Sequence, residues 1–345
     1  MAKIIDVHNH LYPKEWMDYL EKRTESPRME RTGPNSAVFY SGDVITAHID
    51  RAGHYDVEAR IADLDKYGID TQIIGLTIPS VESVPAAEGV TWAKRVNDTF
   101  ASICHKYPER FYALAALPYQ AMDEATKELD RAYKDLGVKG IMMFSNINGE
   151  PLISPEFYPI YEMAEAYGLP IVIHPAIPLT ADVMRKVKLP FQLYGFTLDT
   201  TMAVVSLIFQ GVLEKYPRLN LVHCHLGGMA PYLVYRMDNS FRSYGKEWGI
   251  ELPMTPSEYY QRQVYIDSIS FYLPAMRCAL DFVGADHICL GTDYAHRVGN
   301  PEKAISSVKE LNLSEEDTDK ILGGNAVRLF GLKVPHKRLS KEYLL

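Results

Sequence analysis

Short runs rich in apolar, β-branched residues alternate along the whole chain with longer stretches whose apolar positions recur every three or four residues. The first kind of run reads as a buried strand, the second as an amphipathic helix packed over it. Eight strand-like runs stand out, at 4–7, 71–76, 111–115, 140–144, 170–174, 219–225, 264–267 and 288–293. Helices are expected over 57–67, 87–107, 122–136, 155–167, 200–216, 231–244, 271–282 and 301–311, several ending in a glycine or just before a proline. Such alternation implies a parallel sheet with helical crossovers, and eight repeats imply a closed (β/α)8 TIM barrel of the α/β class. A doubly wound nucleotide-binding sheet is the rival, but no Gly-x-Gly-x-x-Gly follows the first run.

One stretch breaks the repeat. Residues 12–56 are polar and rich in proline and glycine, with short candidate strands at 37–40 and 44–47. Long connections in compact domains usually carry function, so this insertion after the first strand reads as a lid or small subdomain over the barrel mouth. No linker or charge block divides the remainder, and a single barrel domain over 1–332, including the insertion, is expected, followed by a solvated tail at 333–345. At 345 residues and 47% hydrophobic the chain can bury one large core. A formal net charge of −8 argues against a nucleic-acid surface, which needs a basic stripe, and leaves a small-molecule partner. No stretch reads as a membrane span or a secretory signal. The four cysteines, Cys104, Cys224, Cys278 and Cys289, form no Cys-x-x-Cys pair and read as reduced thiols, so a cytoplasmic protein is expected.

The chemistry gathers at the strand ends. Side chains alternate along a strand, so His8 and His10 project from one face. A lone His-x-His is more often a pair of core histidines; two further strand-end residues overturn that reading. His174 closes the fifth run and precedes Pro175, which holds it extended. Asp293 closes the last run in Gly291-Thr292-Asp293-Tyr294. Three imidazoles and a carboxylate suit Zn2+, with Mn2+ or Fe2+ as alternatives, and an open position would hold water. Barrels that hold two ions bridge them with a modified lysine at the end of strand four, where this chain has none; Lys139 lies at the other end, so one ion is expected. His223 shares a face with His225 and reads as a packed histidine or a further ligand. His225 stands before Leu226-Gly227-Gly228 and is the candidate acid/base, or else a fifth ligand. His48, His54, His105, His287 and His336 form no constellation, and Phe191, Tyr194 and Phe196 read as packing residues.

As an ordered set these residues resemble the amidohydrolase-related family of the amidohydrolase superfamily, and within it the non-oxidative decarboxylases. The resemblance rests on Asp6-Val7-His8-Asn9-His10, Arg51, Asp56 to Ile61, Leu117-Pro118, His174-Pro175, Gly211 to Pro217, His225 to Gly228, Gly291 to Tyr294 and Gly324-Asn325-Ala326. It implies a mononuclear zinc on His8, His10, His174 and Asp293, with His225 as acid/base. It further implies that Arg51 binds a substrate carboxylate and that Arg236 reaches into a neighbouring subunit, hence a homodimer. The expected activity is metal-dependent decarboxylation of an unsaturated or aromatic acid, such as a carboxymuconate semialdehyde or a hydroxybenzoate. Hydrolysis of a lactone or amide, hydration of an unsaturated diacid and a non-catalytic binding barrel are the alternatives. The chain departs from the family at Ala176-Ile177-Pro178 and Ala295-His296-Arg297, where His296 and Arg297 read as a site for a second acidic group or as a hydrogen-bonded rim.

Overall fold

A computed structural model describes residues 3–333, so the expected tail lies, from residue 334 onward, outside the described residues. The strands in chain order are β1 (Ile5–Asp6), β2 (Arg28–Gly33), β3 (Ser36–Ser41), β4 (Val44–Ile49), β5 (Thr71–Ile74), β6 (Phe111–Ala115) and β7 (Gly140–Phe144). They continue as β8 (Asn146–Ile147), β9 (Glu150–Pro151), β10 (Ile171–His174), β11 (Leu221–His223), β12 (Val264–Asp267) and β13 (Ile288–Cys289). Eight of them form one parallel sheet in the order β1-β5-β6-β7-β10-β11-β12-β13. The circle closes where Val7 N donates to Leu290 O at 2.9 Å and where Asn9 bridges in parallel to Tyr294. This is the expected barrel.

The sequence explains the framework locally. The helix Val57–Tyr67 begins where the Asp56 carboxylate accepts from the N–H groups of Glu58 and Ala59, and ends at Gly68 with φ 73°. Apolar residues on both faces of the strands, Ile171 to Ile173 among them, are buried because helices cover the outside and side chains fill the barrel.

Several boundaries differ from expectation. The run to His225 stops at His223, and the run to Asp293 leaves the ladder after Cys289, because His225, Leu226 and Asp293 adopt left-handed backbone with φ between 57° and 58°. The helix expected over 200–216 runs instead as Phe196–Phe209 and Val212–Lys215, broken at Gly211 with φ 73°. Among the described residues Phe191–Phe209 is long and apolar enough to cross a membrane, contrary to the expectation that no stretch reaches that length; half of it is buried in this fold, as in a barrel-packing helix. In the insertion, β2 joins the two anticipated strands to give a three-stranded antiparallel sheet, preceded by the helix Lys14–Glu21.

Candidate active site

His8 and His10 lie just past β1, His174 ends β10, and Asp293 lies past β13, all at the C-terminal mouth of the barrel. One ring nitrogen from each of His8, His10 and His174 falls within 4.8 Å of the others, and His8, His225 and Asp293 meet the same criterion. His10 Nε2 lies 2.7 Å from Asp293 Oδ1, and His8 Nε2 lies 3.9 Å from it. The four predicted ligands therefore converge, with His225 at their edge: its Nε2 is 3.9 Å from Asp293 Oδ2.

Each imidazole uses Nδ1 for the protein. His8 Nδ1 pairs with Asp267 Oδ2 at 2.7 Å, His10 Nδ1 with Thr77 Oγ1 at 2.7 Å, and His174 Nδ1 donates to Pro175 O at 2.9 Å. Nε2 is what each ring turns to the site: that of His10 meets Asp293 Oδ1, and His8 Nε2 is buried with no hydrogen-bond partner. An orphaned buried nitrogen costs stability unless something occupies it, and partners that fix the other nitrogen are the usual support of a metal-binding histidine. Burial pushes His174 and His10 well below the ordinary histidine range, with their neighbours' charge adding to it. Burial would raise the Asp293 carboxyl, but hydrogen bonds from His10 and His225 outweigh it and hold the group well below its usual range. Burial would lower His8 too, but the charge of Cys224 and the hydrogen bond to Asp267 outweigh it and hold that ring well above the ordinary range. Neutral His10 and His174 beside an ionised carboxylate are donors a divalent cation takes, and a cation bound there would displace the His8 proton.

Asp267, which sequence reasoning missed, organises this arrangement from the end of β12. Fully buried, it accepts from His8 Nδ1 and from the backbone N–H groups of His225, Leu226 and Ile269, the last three at 2.9 Å. One carboxylate thereby fixes a predicted ligand and holds open the left-handed turn that carries His225. Left-handed non-glycine residues cost on the order of 1–3 kcal/mol each and persist where the surroundings over-determine them. Arg60, also missed, is wholly buried; it donates to Gly53 O, Asn9 Oδ1, Gln72 Oε1 and His10 O, pinning the end of β1 to the insertion's last turn.

Above these residues opens a cavity of about 820 Å3, lined on the floor by His174, His225 and Asp293 and on the walls by Ile78, Phe191, Phe196 and Phe271, with Val44 to His48 of the insertion. Phe191 and Phe196 thus face the cavity, whereas Tyr194 does not line it. Two histidines expected to form no constellation are brought here: His48 lines the cavity, and His54 Nε2 lies 3.2 Å from His296 Nδ1. Tertiary folding joins positions 242 apart in the chain, which no local pattern announces. His296 in turn stacks on His10, ring centroids 3.7 Å apart, while the Arg297 guanidinium is engaged by Asp50. His223 pairs through Nδ1 with Tyr260 Oη at 2.9 Å, and its Nε2 is buried with no hydrogen-bond partner. Arg51 caps the short turn Ala52–His54 and Arg236 is exposed on the helix Ala230–Tyr244; neither lines the cavity of its own chain.

A family model described as amidohydrolase matches residues 5–332. The chain is 31% identical over 341 residues to 2-amino-3-carboxymuconate-6-semialdehyde decarboxylase of Dictyostelium discoideum, covering 97% of this chain and 93% of that protein. It is 32% identical over 291 residues to gamma-resorcylate decarboxylase of Rhizobium sp. (strain MTP-10005), covering 80% and 87%. The crystal structure of 5-carboxyvanillate decarboxylase from Novosphingobium aromaticivorans, complexed with manganese and 4-hydroxy-3-methoxy-5-nitrobenzoic acid, matches with a TM-score of 0.83 at 27% identity and 96% coverage of each chain. A match of this extent, on a barrel whose strand ends gather imidazoles and a carboxylate, settles the assignment: the chain belongs to the amidohydrolase family.

Proposed function

We propose that this chain is a metal-dependent, non-oxidative decarboxylase of an aromatic or otherwise unsaturated carboxylic acid. Both relatives and the solved neighbour are decarboxylases. That agreement favours this reading over lactone or amide hydrolysis, hydration of a diacid, or a non-catalytic barrel. The observation that carries it is the convergence of His8, His10, His174 and Asp293, with His225 beside them, under a cavity walled by aromatic and aliphatic side chains.

His8, His10, His174 and Asp293 would hold one divalent ion, which when bound supplies Lewis acidity next to the substrate's acidic oxygens. The ligand types favour Zn2+; Mn2+, present in the 5-carboxyvanillate enzyme, is the alternative. Loss of CO2 from an unsaturated carbon leaves an electron pair in the ring plane unless that carbon first becomes tetrahedral. His225 delivers a proton to the carbon that bears the carboxylate. The carbon–carbon bond then breaks, its electron pair restores the π system, and CO2 departs, so that a proton has replaced it. His225 recovers its proton from solvent through the cavity mouth. Asp293 Oδ2, 3.9 Å from His225 Nε2, favours the protonated ring by its charge.

Arg51 is proposed to bind a substrate carboxylate, guanidinium being the natural bidentate partner. Arg236 is proposed to do so across a homodimer interface. Tyr232 and Tyr235, 85% and 76% exposed on the same helix, give that interface its apolar surface. A cytoplasmic setting accords with four free cysteines.

The test is CO2 release by zinc-loaded protein across carboxymuconate semialdehydes and hydroxybenzoates, with His225→Ala as control. Release that is abolished by the substitution is expected. No release from any of them, with the metal confirmed in place, would reject the reading.

A further inference from the structure

The His54–His296 pair sets a hydrogen-bond polarity at the cavity wall, and that polarity follows from the bonding order of three groups. His54 Nδ1 lies 3.2 Å from the backbone carbonyl of Arg51, which can only accept, so His54 Nδ1 carries a proton. A neutral His54 then offers its Nε2 as an acceptor, and the partner 3.2 Å away, His296 Nδ1, must be the donor. A neutral imidazole has one N–H. With the proton on Nδ1, His296 is left with a bare lone pair on Nε2, its one polar atom without a protein partner, and its ring lines the cavity. The adjacent Arg297 does not compensate, because Asp50 engages its guanidinium. Stacking on His10, with ring centroids 3.7 Å apart, holds the plane of the His296 ring.

We infer that His296 is a specificity-determining residue that recognises a hydrogen-bond-donating group on the substrate, through an acceptor Nε2 whose tautomer is fixed by His54. This rests on the reading of the cavity as the site of an aromatic or unsaturated acid. The group selected is an O–H or N–H conjugated with the carbon that carries the carboxylate, as in a phenol or a vinylic or aryl amine. A second carboxylate, which can only accept when ionised, is disfavoured at this wall, contrary to the expectation from His296 and Arg297 as a pair of basic residues. Selection of this kind is strong because a mismatched ligand leaves a buried polar atom unpaired.

The test is binding, which reads independently of turnover. Dissociation constants of the metal-loaded protein are measured by calorimetry for benzoates carrying hydroxyl, amino or methoxy groups, in the ortho and the meta series. In at least one series the hydroxyl and amino compounds are expected to bind at least tenfold more tightly than the methoxy compound, which can only accept. His296→Phe should reduce that ratio to within about twofold of unity. His54→Leu frees the His296 proton to move to Nε2 and should lower the ratio or invert it. Equal or tighter methoxy binding in both series, or a ratio that survives either substitution, would overturn the inference. Hydroxyl binding without amino binding would assign the group to phenols; the converse would assign it to amines. Absence of CO2 release with the binding preference intact would remove the decarboxylase reading and leave this one standing.

Discussion

The floor of the cavity and its mouth are built on opposite principles. On the floor the four proposed ligands are buried, His225 is half-buried, and hydrogen bonds tie them to the C-terminal rim of the barrel: His8 to Asp267, His10 to Thr77 and Asp293, and the turn at His225 to Asp267 again. At the mouth, a small apolar cluster of Ala181, Met184 and Phe191 packs with Val44, Ile177, Leu189 and Phe196, apart from the main core. One hydrogen bond, Gln192 Nε2 to Ile45 O at 3.2 Å, and an exposed Arg185–Asp43 pair at 3.6 Å join its two sides. Exposed pairs contribute little, and Val183, Val187 and Leu193 nearby are largely exposed. Reaction geometry therefore sits on the rigid part, while access sits on segments of low local stability.

That contrast can be broken most forcefully at the floor. Asp293→Ala removes the proposed carboxylate ligand and with it several kcal/mol of expected charge stabilisation. Turnover should fall on the order of 10^3-fold, with bound metal lost as read by elemental analysis. His225→Ala should lower kcat by about 10^2- to 10^4-fold yet leave the metal in place, which separates the acid/base role from a fifth-ligand role. Asp267→Asn should weaken metal affinity about 10- to 100-fold through His8, measured by competition with a chelator. At the mouth, Phe191→Ala gives up about 1 kcal/mol of contact; KM should rise roughly fivefold with kcat and metal content held. Hydrogen exchange sharpens the comparison further: amides of 181–195 should exchange well ahead of those in Ile171–His174.

The floor's proposed ligands were legible because each sits at the end of an apolar run, where a strand's period of two and the barrel's polarity make a histidine or aspartate conspicuous. Asp267 also ends a run, Val264-Tyr265-Ile266, yet a lone aspartate carries no spacing, and its meaning comes from a histidine 259 positions away. The pairing of His54 with His296 was hidden for the same reason. β2 escaped notice because Arg28–Gly33 has little apolar alternation and is held as the edge of a hairpin sheet. The helix Pro256–Gln263 did leave a readable mark: Thr255 N donates to Glu258 Oε2 at 2.7 Å in a capping box, a Thr-x-x-Glu pattern present in the sequence.

The central claim, that one divalent ion on the floor carries the chemistry, is tested most directly by titrating metal into chelator-stripped protein while recording CO2 release from a hydroxybenzoate. The account predicts activity that rises linearly and breaks at about one ion per chain. Full turnover by the stripped protein, or a break at two ions, would contradict it.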